Sequence, residues 1–480
     1  MTGSLGYAER LTRRDDVGGT LGTPEFDESG DEIALHKKID ALTKFIIESK
    51  QHGGMVVHTG AGISTSSGIP DFRGPNGVWT AQSKKIPLPT ASCAFDQAKP
   101  SVTHMALMEL EKHGFVKYVV SCNVDCLHLR SGLPQTKLAE LHGNCFAERC
   151  EKCHFEYIRD FEVETVGFKL TGRRCVKCEV EKKIKNTGSK RKRAVQANLR
   201  DQVLDWDDAL PKDELKAAEK HSRETSLALV LGSSLQITPS CDIPLKTITK
   251  TNKKKRKGKL VIVNLQETEK DRYASVLIHA KVDVVMRGVM HRLKLKIPDY
   301  VRTDRLTVSH SVTKTKDNTY KDGEGRSFKL SGDNTRSNYT LSVGSAHGFG
   351  NPTPWLKSID FEISYLPNGH TCRVTIPHQV VGSDTAHTQS VQFALQGSDA
   401  FAGPLSAVAE IRLTFKDGCT ERGATIKGYE LGHRELMTNY NDKDDFTSQY
   451  TYSLVTSRVS YQGTDVKTEP ENDGLGSDTE

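Results

Sequence analysis

Five short apolar runs separated by helical stretches constrain this chain more than anything else in it. They are Met55-Val56-Val57-His58, Lys117 to Ser121, Leu227 to Leu231, Leu260 to Asn264 and Val276 to His279. Strands apolar along their whole length must be covered on both faces, and helices between them supply the cover. The pattern predicts a doubly wound parallel sheet of the Rossmann-like α/β kind. Leu35, Ile39, Leu42 and Ile46 recur at helical spacing and end at His52-Gly53-Gly54. Met105 to Leu110 reads as a further helix, as does Val282 to Leu293 after the last strand.

Two stretches interrupt this alternation. One, about 145–200, holds five cysteines; the other, about 247–258, is basic. Beyond Pro298 the period changes. Ile359, Phe361, Ile363 and Tyr365 alternate with polar residues, as do Val391, Phe393 and Leu395; Ile411, Leu413 and Phe415; and Tyr450, Tyr452 and Leu454. Gly, Pro, Asn and Asp separate these runs, so an all-β sandwich-like domain is expected. A chain of 480 residues exceeds one core. The expected division is an arm over 1–33, an α/β domain over 34–300 with a zinc-binding module inserted at about 145–200, a linker over 301–325, the sandwich over 326–460 and a disordered acidic tail over 461–480.

The net charge of +6 is concentrated in two clusters, Lys190-Arg191-Lys192-Arg193 and Lys253-Lys254-Lys255-Arg256-Lys257. Such runs serve as nuclear-import signals or phosphate-binding patches, so nuclear residence and sequence-independent nucleic-acid contact are expected. No run approaches the ~18 apolar residues of a membrane span, and the N-terminus lacks the apolar core of a secretory signal. Eleven cysteines spread over the whole chain fit a reduced compartment.

Cys150-x-x-Cys153 and Cys175-x-x-Cys178 form a four-thiolate pattern. A metal held by four thiolates has a closed shell, so one zinc ion here is structural, clipping together a module too poor in apolar residues to fold alone. The other strong signal is the turn after the first strand, Thr59-Gly60-Ala61-Gly62-Ile63-Ser64-Thr65. Gly60 and Gly62 let the backbone approach a pyrophosphate, while hydroxyls and free amides donate to it. The loop that follows, from Ser67 to Trp79, holds the charged pair Asp71 and Arg73 and reads as built to close over a ligand.

These residues carry a resemblance. GAGISTSSGIPDFRGPNGVW resembles the first signature of the sirtuins. Leu141-His142-Gly143-Asn144, Leu231-Gly232-Ser233-Ser234-Leu235 and Val263-Asn264-Leu265-Gln266 follow at the family's spacing. The segment 199–211 and the N-terminal Ser4-Leu5-Gly6-Tyr7-Ala8-Glu9 are similar to the nuclear class-four branch and its plant-type members. The resemblance implies an NAD-dependent protein-lysine deacylase (a histone deacetylase) with NAD as co-substrate, acylated histone tails and other nuclear proteins as partners, and no membrane association. It implies that Ala61, Thr65, Phe72, Arg73 and Trp79 line the nicotinamide and phosphate side, beside Gly60, Gly62 and Asp71. Gly232, Ser234, Asn264, Gln266 and Val282 would hold the adenosine side, and Asn123 and Asp125 the nicotinamide pocket. In the family reaction the acyl oxygen displaces nicotinamide; a histidine, here His142, then deprotonates a ribose hydroxyl. Free lysine and O-acyl-ADP-ribose result.

The chain departs from the pattern at Cys122-Asn123-Val124-Asp125-Cys126, where the family reads Gln-Asn-x-Asp-Gly. Cys122 is a weak replacement for a ribose-bonding glutamine. Cys126 places a side chain beside the nicotinamide pocket and, if the glycine holds positive φ, strains the backbone. Two rival readings share the site: mono-ADP-ribosyl transfer to protein, and an NAD-sensing chromatin scaffold of weakened activity. An ordinary dehydrogenase is disfavoured, because no G-x-G-x-x-G with a following acid is present. Val466-Lys467-Thr468-Glu469 matches a SUMO acceptor pattern.

Overall fold

The computed structural model describes residues 10–11, 21–178, 197–205, 208–249, 258–316, 319–321, 327–329, 335–347, 351–366, 371–374, 389–396, 406–430 and 446–461. Both basic clusters, residues 4–9, Trp206, Asp207 and the tail from 462 with its Val466–Glu469 motif lie outside the described residues.

Helix α1 (Glu32–Lys50) starts where the Asp31 carboxylate accepts the Ala34 N–H, and its stripe of Leu35, Ile39, Leu42 and Ile46 is buried as the periodicity requires. It leads into β1 (Met55–Thr59), every residue of which is buried. After α2 (Val78–Lys84) and α3 (Val102–Lys112) come β2 (Val116–Ser121), the short α4 (Leu127–Arg130) and β3 (Leu138–Glu140). A second sheet follows, of β4 (Gly143–Cys150), β5 (Glu156–Ile158), β6 (Leu170–Arg174) and β7 (Asn198–Val203). The chain then returns through α5 (Lys212–Glu224), β8 (Leu227–Leu231), α6 (Leu245–Ile248), β9 (Lys259–Val263), β10 (Val276–Ile278) and α7 (Val282–Arg292).

The main sheet has the order β10-β9-β8-β1-β2-β3, with every pairing parallel. From β1 the chain moves outward on one side to β2 and β3, then crosses back to β8 on the other. The loops after β1 and β8 therefore diverge at a switch point, where open α/β sheets form their ligand crevice. The main core lies between this sheet and α1, α3 and α7. No helix among the described residues is long and apolar enough to cross a membrane.

Residues 301–325 do not form the expected linker. Tyr300–Lys316 is the long strand β11, followed by the hairpin β12 (Thr319–Lys321) and β13 (Ser327–Lys329). Along 301–306 exposed and buried residues alternate, but two of the buried positions are Arg302 and Asp304. An inward face that opens on an ion pair hides its period from any hydropathy reading. The remaining strands are β14 (Thr335–Ser345), β15 (Leu356–Leu366), β16 (Thr371–Val374), β17 (Gln389–Gln396), β18 (Ser406–Phe415), β19 (Gly423–Glu430) and β20 (Phe446–Val459). Two antiparallel sheets, β17-β14-β11-β20 and β16-β15-β18-β19, share one core that includes Leu306, Leu341, Trp355, Phe361 and Ile411. The sandwich thus starts at residue 300 rather than 326.

The described residues at both flanks pack on the α/β domain. Residues 21–33 are pinned to the α/β domain: Gly22 N donates to Arg73 O at 2.9 Å, Phe26 N to Leu265 O at 2.8 Å and Glu28 N to His279 O at 2.7 Å. Tyr461, assigned to the tail, packs on the main core and donates its hydroxyl to Pro100 O.

Candidate active site

The cleft opens at the switch point. Gly60 N donates to Leu231 O at 3.1 Å and Gly62 N to Gly232 O at 2.9 Å, locking the two diverging loops together. A Cβ on Gly60 would lie 2.6 Å from Gly232 O, one on Gly62 2.8 Å from Gly232 Cα, and Gly232 itself has φ +60°. Main chain stands on both sides of these contacts, so only glycine permits the turn. The glycines thus serve the loop-to-loop contact as well as any approach to a phosphate.

Two adjoining cavities of about 400 and 560 Å³ share Gly62, Asp71, Gly232, Asn264 and Gln266. Gly60, Ala61, Phe72, Arg73, Trp79, Cys122, Asn123, Asp125, Ser234 and His142 line the first. Thr65 and Val282 line the second. The fold therefore brings together all the residues singled out for the cofactor, from five separate stretches of chain.

Within this set the side chains are mutually held. Asn123 donates to Gly60 O at 3.1 Å and to Ser64 Oγ at 3.3 Å, while Ser64 Oγ donates to Asp125 Oδ2 at 2.6 Å. Ser64 joins the two polar residues of the 122–126 stretch to the glycine turn; sequence reasoning passed over it although it sits inside the turn motif. Arg73 lies with its guanidinium 4.4 Å from the Trp79 ring, and Phe72 packs on the same indole at 4.5 Å. Burial lowers the Arg73 pKa to about 10, which leaves it cationic at neutral pH. Burial and the neighbouring Glu25 raise that of Asp71, whose carboxylate accepts the Gly74 N–H at 3.2 Å. The Gln266 amide donates to Thr23 Oγ1 at 2.8 Å, so the 21–33 segment braces the Gln266 wall of the cleft.

His142 stands between β3 and β4, held by Leu141 N on Ser121 O at 2.9 Å and Leu204 N on His142 O at 3.2 Å. Its Nδ1 lies 3.1 Å from Cys122 O. A carbonyl only accepts, so Nδ1 carries the proton and Nε2 is the basic nitrogen. Burial holds the imidazole below the ordinary histidine range, helped by Arg73 and opposed by the Cys122 carbonyl. A neutral base at physiological pH follows.

The two departures at 122–126 have different outcomes. Cys122 lines the cleft, and burial pushes its thiol up to about 11, against a hydrogen bond to Ser240. Cys126 does adopt the left-handed conformation, with φ +63°. Its side chain, however, is 2% exposed and packs with Val124, Cys145, Phe146, Val166 and Val203 against the second sheet. It does not line the cleft, so the expected intrusion beside the nicotinamide pocket is corrected: the left-handed backbone turns the thiol into the core.

The four predicted metal ligands converge. Their sulfurs all lie within 4.8 Å of one another, with Cys150 to Cys178 at 3.9 Å and Cys153 to Cys175 at 3.6 Å. Zinc at ~2.3 Å from each of four thiolates sets them about 3.8 Å apart, so the donor set fits zinc in a closed tetrahedron. With no fifth position the metal is structural. The apolar packing beneath it is slight: Ala197 and Leu199, with Tyr157 alongside.

The Sir2 family profile matches residues 60–97 and 88–239. The chain is 49% identical over 365 residues to the NAD-dependent protein deacetylase SRT1 of Arabidopsis thaliana, covering 76% of this chain and 68% of that one. It is 45% identical over 426 residues to SRT1 of Oryza sativa subsp. indica, covering 88% and 75% respectively. With the NAD-dependent protein deacetylase Sirt6 of Drosophila melanogaster it shares 43% identity over 297 residues, 62% of this chain and 87% of that one.

Proposed function

The chain belongs to the Sir2 family, and on that premise we propose that it is an NAD-dependent protein-lysine deacetylase acting on acylated histone tails in the nucleus. The observation that carries this reading is His142, a cleft-lining imidazole whose Nδ1 proton is fixed on Cys122 O. That bond leaves an unprotonated nitrogen at neutral pH to take the proton of a sugar hydroxyl.

The site fits NAD. A glycine turn locked at a sheet switch point, a cationic Arg73 and the Ser64-linked Asn123 and Asp125 provide for phosphate, ribose and carboxamide groups. Gly60, Ala61, Gly62, Thr65, Asp71, Phe72, Arg73, Trp79, Cys122, Asn123 and Asp125 would hold the nicotinamide half. Gly232, Ser234, Asn264, Gln266 and Val282 would hold the adenosine half. NAD supplies a labile bond between ribose and nicotinamide. The protein's share is positioning: the loop from Asp71 to Trp79 excludes water, and His142 receives the proton. Asp205 and Asp208 line the same cleft and suit a basic peptide. The two basic clusters of the sequence support nuclear residence and contact with nucleic acid. The weakened-sensor reading loses one of its two supports, because Cys126 points away from the cleft.

The test is release of acetate equivalents from an acetyl-lysine histone H3 peptide, with and without NAD, by the full chain and by His142→Ala. NAD-dependent deacetylation lost in the variant is the expected result; equal rates would overturn it. Labelled ADP-ribose retained on protein, without deacylation, would instead indicate ADP-ribosyl transfer.

A further inference from the structure

The β-sandwich is joined to the α/β domain by more than the covalent chain, and its contacts fall on the walls of the cleft. Arg302 of β11 forms a buried ion pair with Asp304, Nε to Oδ2 at 2.9 Å and Nη2 to Oδ1 at 3.1 Å, their side chains 6% and 3% exposed. Thr456 on the neighbouring strand also donates to Asp304. The guanidinium so fixed extends its other Nη to Asp96 O at 2.7 Å, across the domain boundary. Arg130 reaches the same turn from the α/β side, 3.4 Å from Phe95 O and 3.4 Å from Ala98 O. One short turn thus has its carbonyls held by two arginines, one from each domain. Gln97 adds a bond to Pro354 O at 3.4 Å.

The turn matters because Phe95, with Ala91 and Cys93, lines the cleft, and its ring packs 5.6 Å from Phe146 of β4. None of the residues assigned to NAD lies on this wall. A second anchor reaches the zinc module. Asn351 accepts from Arg173 Nε at 2.9 Å, and Arg173 is paired with Glu148, which is fully buried. His347 Nε2 stands 3.2 Å from Asp160 Oδ1. The sandwich therefore touches both the turn at 95–98 and the module, the two pieces that flank the cleft away from the cofactor loops.

We propose that the β-sandwich is an intramolecular brace for the acyl-peptide side of the cleft, with Arg302 as the positioning residue that fixes the Phe95 wall. Arg302 touches no substrate; it acts by holding a backbone carbonyl. A fork that satisfies Asp304 and Asp96 O together defines a position more sharply than a flexible ammonium, which bonds one acceptor at a time. Wall placement affects binding of the acylated peptide and leaves the proton transfer at His142 intact.

The kinetic part rests on the deacetylase reading; the exchange part does not. The experiment compares full-length wild type, Arg302→Lys and Gln97→Ala/Asn351→Ala, each first checked for native circular dichroism and bound zinc. Deuterium exchange at amides 93–98 should accelerate about tenfold in both variants, with β1 amides unchanged. KM for an acetyl-lysine peptide should rise about tenfold, while kcat and KM for NAD stay within about twofold of wild type. Unchanged exchange in both folded variants overturns the brace. Accelerated exchange with unchanged peptide KM overturns the positioning role. If one variant fails to fold the other decides, and if wild type does not deacetylate, the exchange result still decides the brace.

Discussion

Replacing Cys126 by the glycine typical of the family tests how the 122–126 stretch works. The backbone at Cys126 has φ +63°, a conformation that costs a non-glycine residue about 1–2 kcal/mol, which glycine would recover. Against this, glycine loses more chain entropy on folding, about 0.5–1 kcal/mol. It also removes two buried heavy atoms from the cluster of Val124, Cys145, Phe146, Val166 and Val203, at about 0.8 kcal/mol each or roughly 1.5 in all. The sum is a gain of about 1–2 set against a loss of about 2–2.5 kcal/mol, so Cys126→Gly should destabilise by about 0–1.5 kcal/mol. At about 2–4 °C per kcal/mol the midpoint should fall by only a few degrees. Because the thiol does not line the cleft, KM for NAD and kcat should match wild type. Thermal unfolding and steady-state deacetylation measure both. A tenfold or larger fall in KM for NAD would refute the reasoning, since it would mean that the thiol obstructs the cofactor after all.

His142→Ala should lower deacetylation about 10²–10⁴-fold while nicotinamide exchange, which needs no proton transfer to this base, falls much less. Since burial depresses the His142 pKa, the neutral base persists as pH falls below the ordinary histidine value of 6.5; the acid limb of kcat/KM should lie below 6.5, and a limb above it would contradict the geometry. One zinc per chain should be recovered by metal analysis, and Cys175→Ser should remove it and open residues 150–178 to protease, leaving the parallel sheet protected. Gly62→Ala should cost about 1–3 kcal/mol in unfolding, because its Cβ would press on Gly232 main chain, and should weaken NAD binding at the same time. Cys122, with its thiol raised to about 11, should react slowly with iodoacetamide at pH 7.5; rapid alkylation there would show it ionised.

Much of the molecule was legible in its letters. Strands buried on both faces have no polar residues to spare, so the five apolar runs announced the sheet and its parallel sense. Few residue types can ligate zinc and their spacing is constrained, which is why two Cys-x-x-Cys pairs 21 residues apart specified the zinc module. The glycine turn and the histidine motif likewise marked the cleft; at Gly60 and Gly62 a Cβ would lie within 3 Å of the Gly232 main chain, so no other residue fits. What escaped the sequence was direction and pairing between distant segments. Whether Cys126 enters a pocket or a core depends on the sign of one φ angle, and nothing local states that sign. Residues 301–325 read as a linker because the first inward positions of β11 are Arg302 and Asp304, whose charges satisfy each other only once the strand is folded. Gln97 and Asn351 carry no signal by themselves, for a hydrogen bond is made by two partners and the sequence shows each alone. Chemistry confined to one segment was therefore determined by the sequence, whereas chemistry shared across the fold was decided only when tertiary structure brought its halves together.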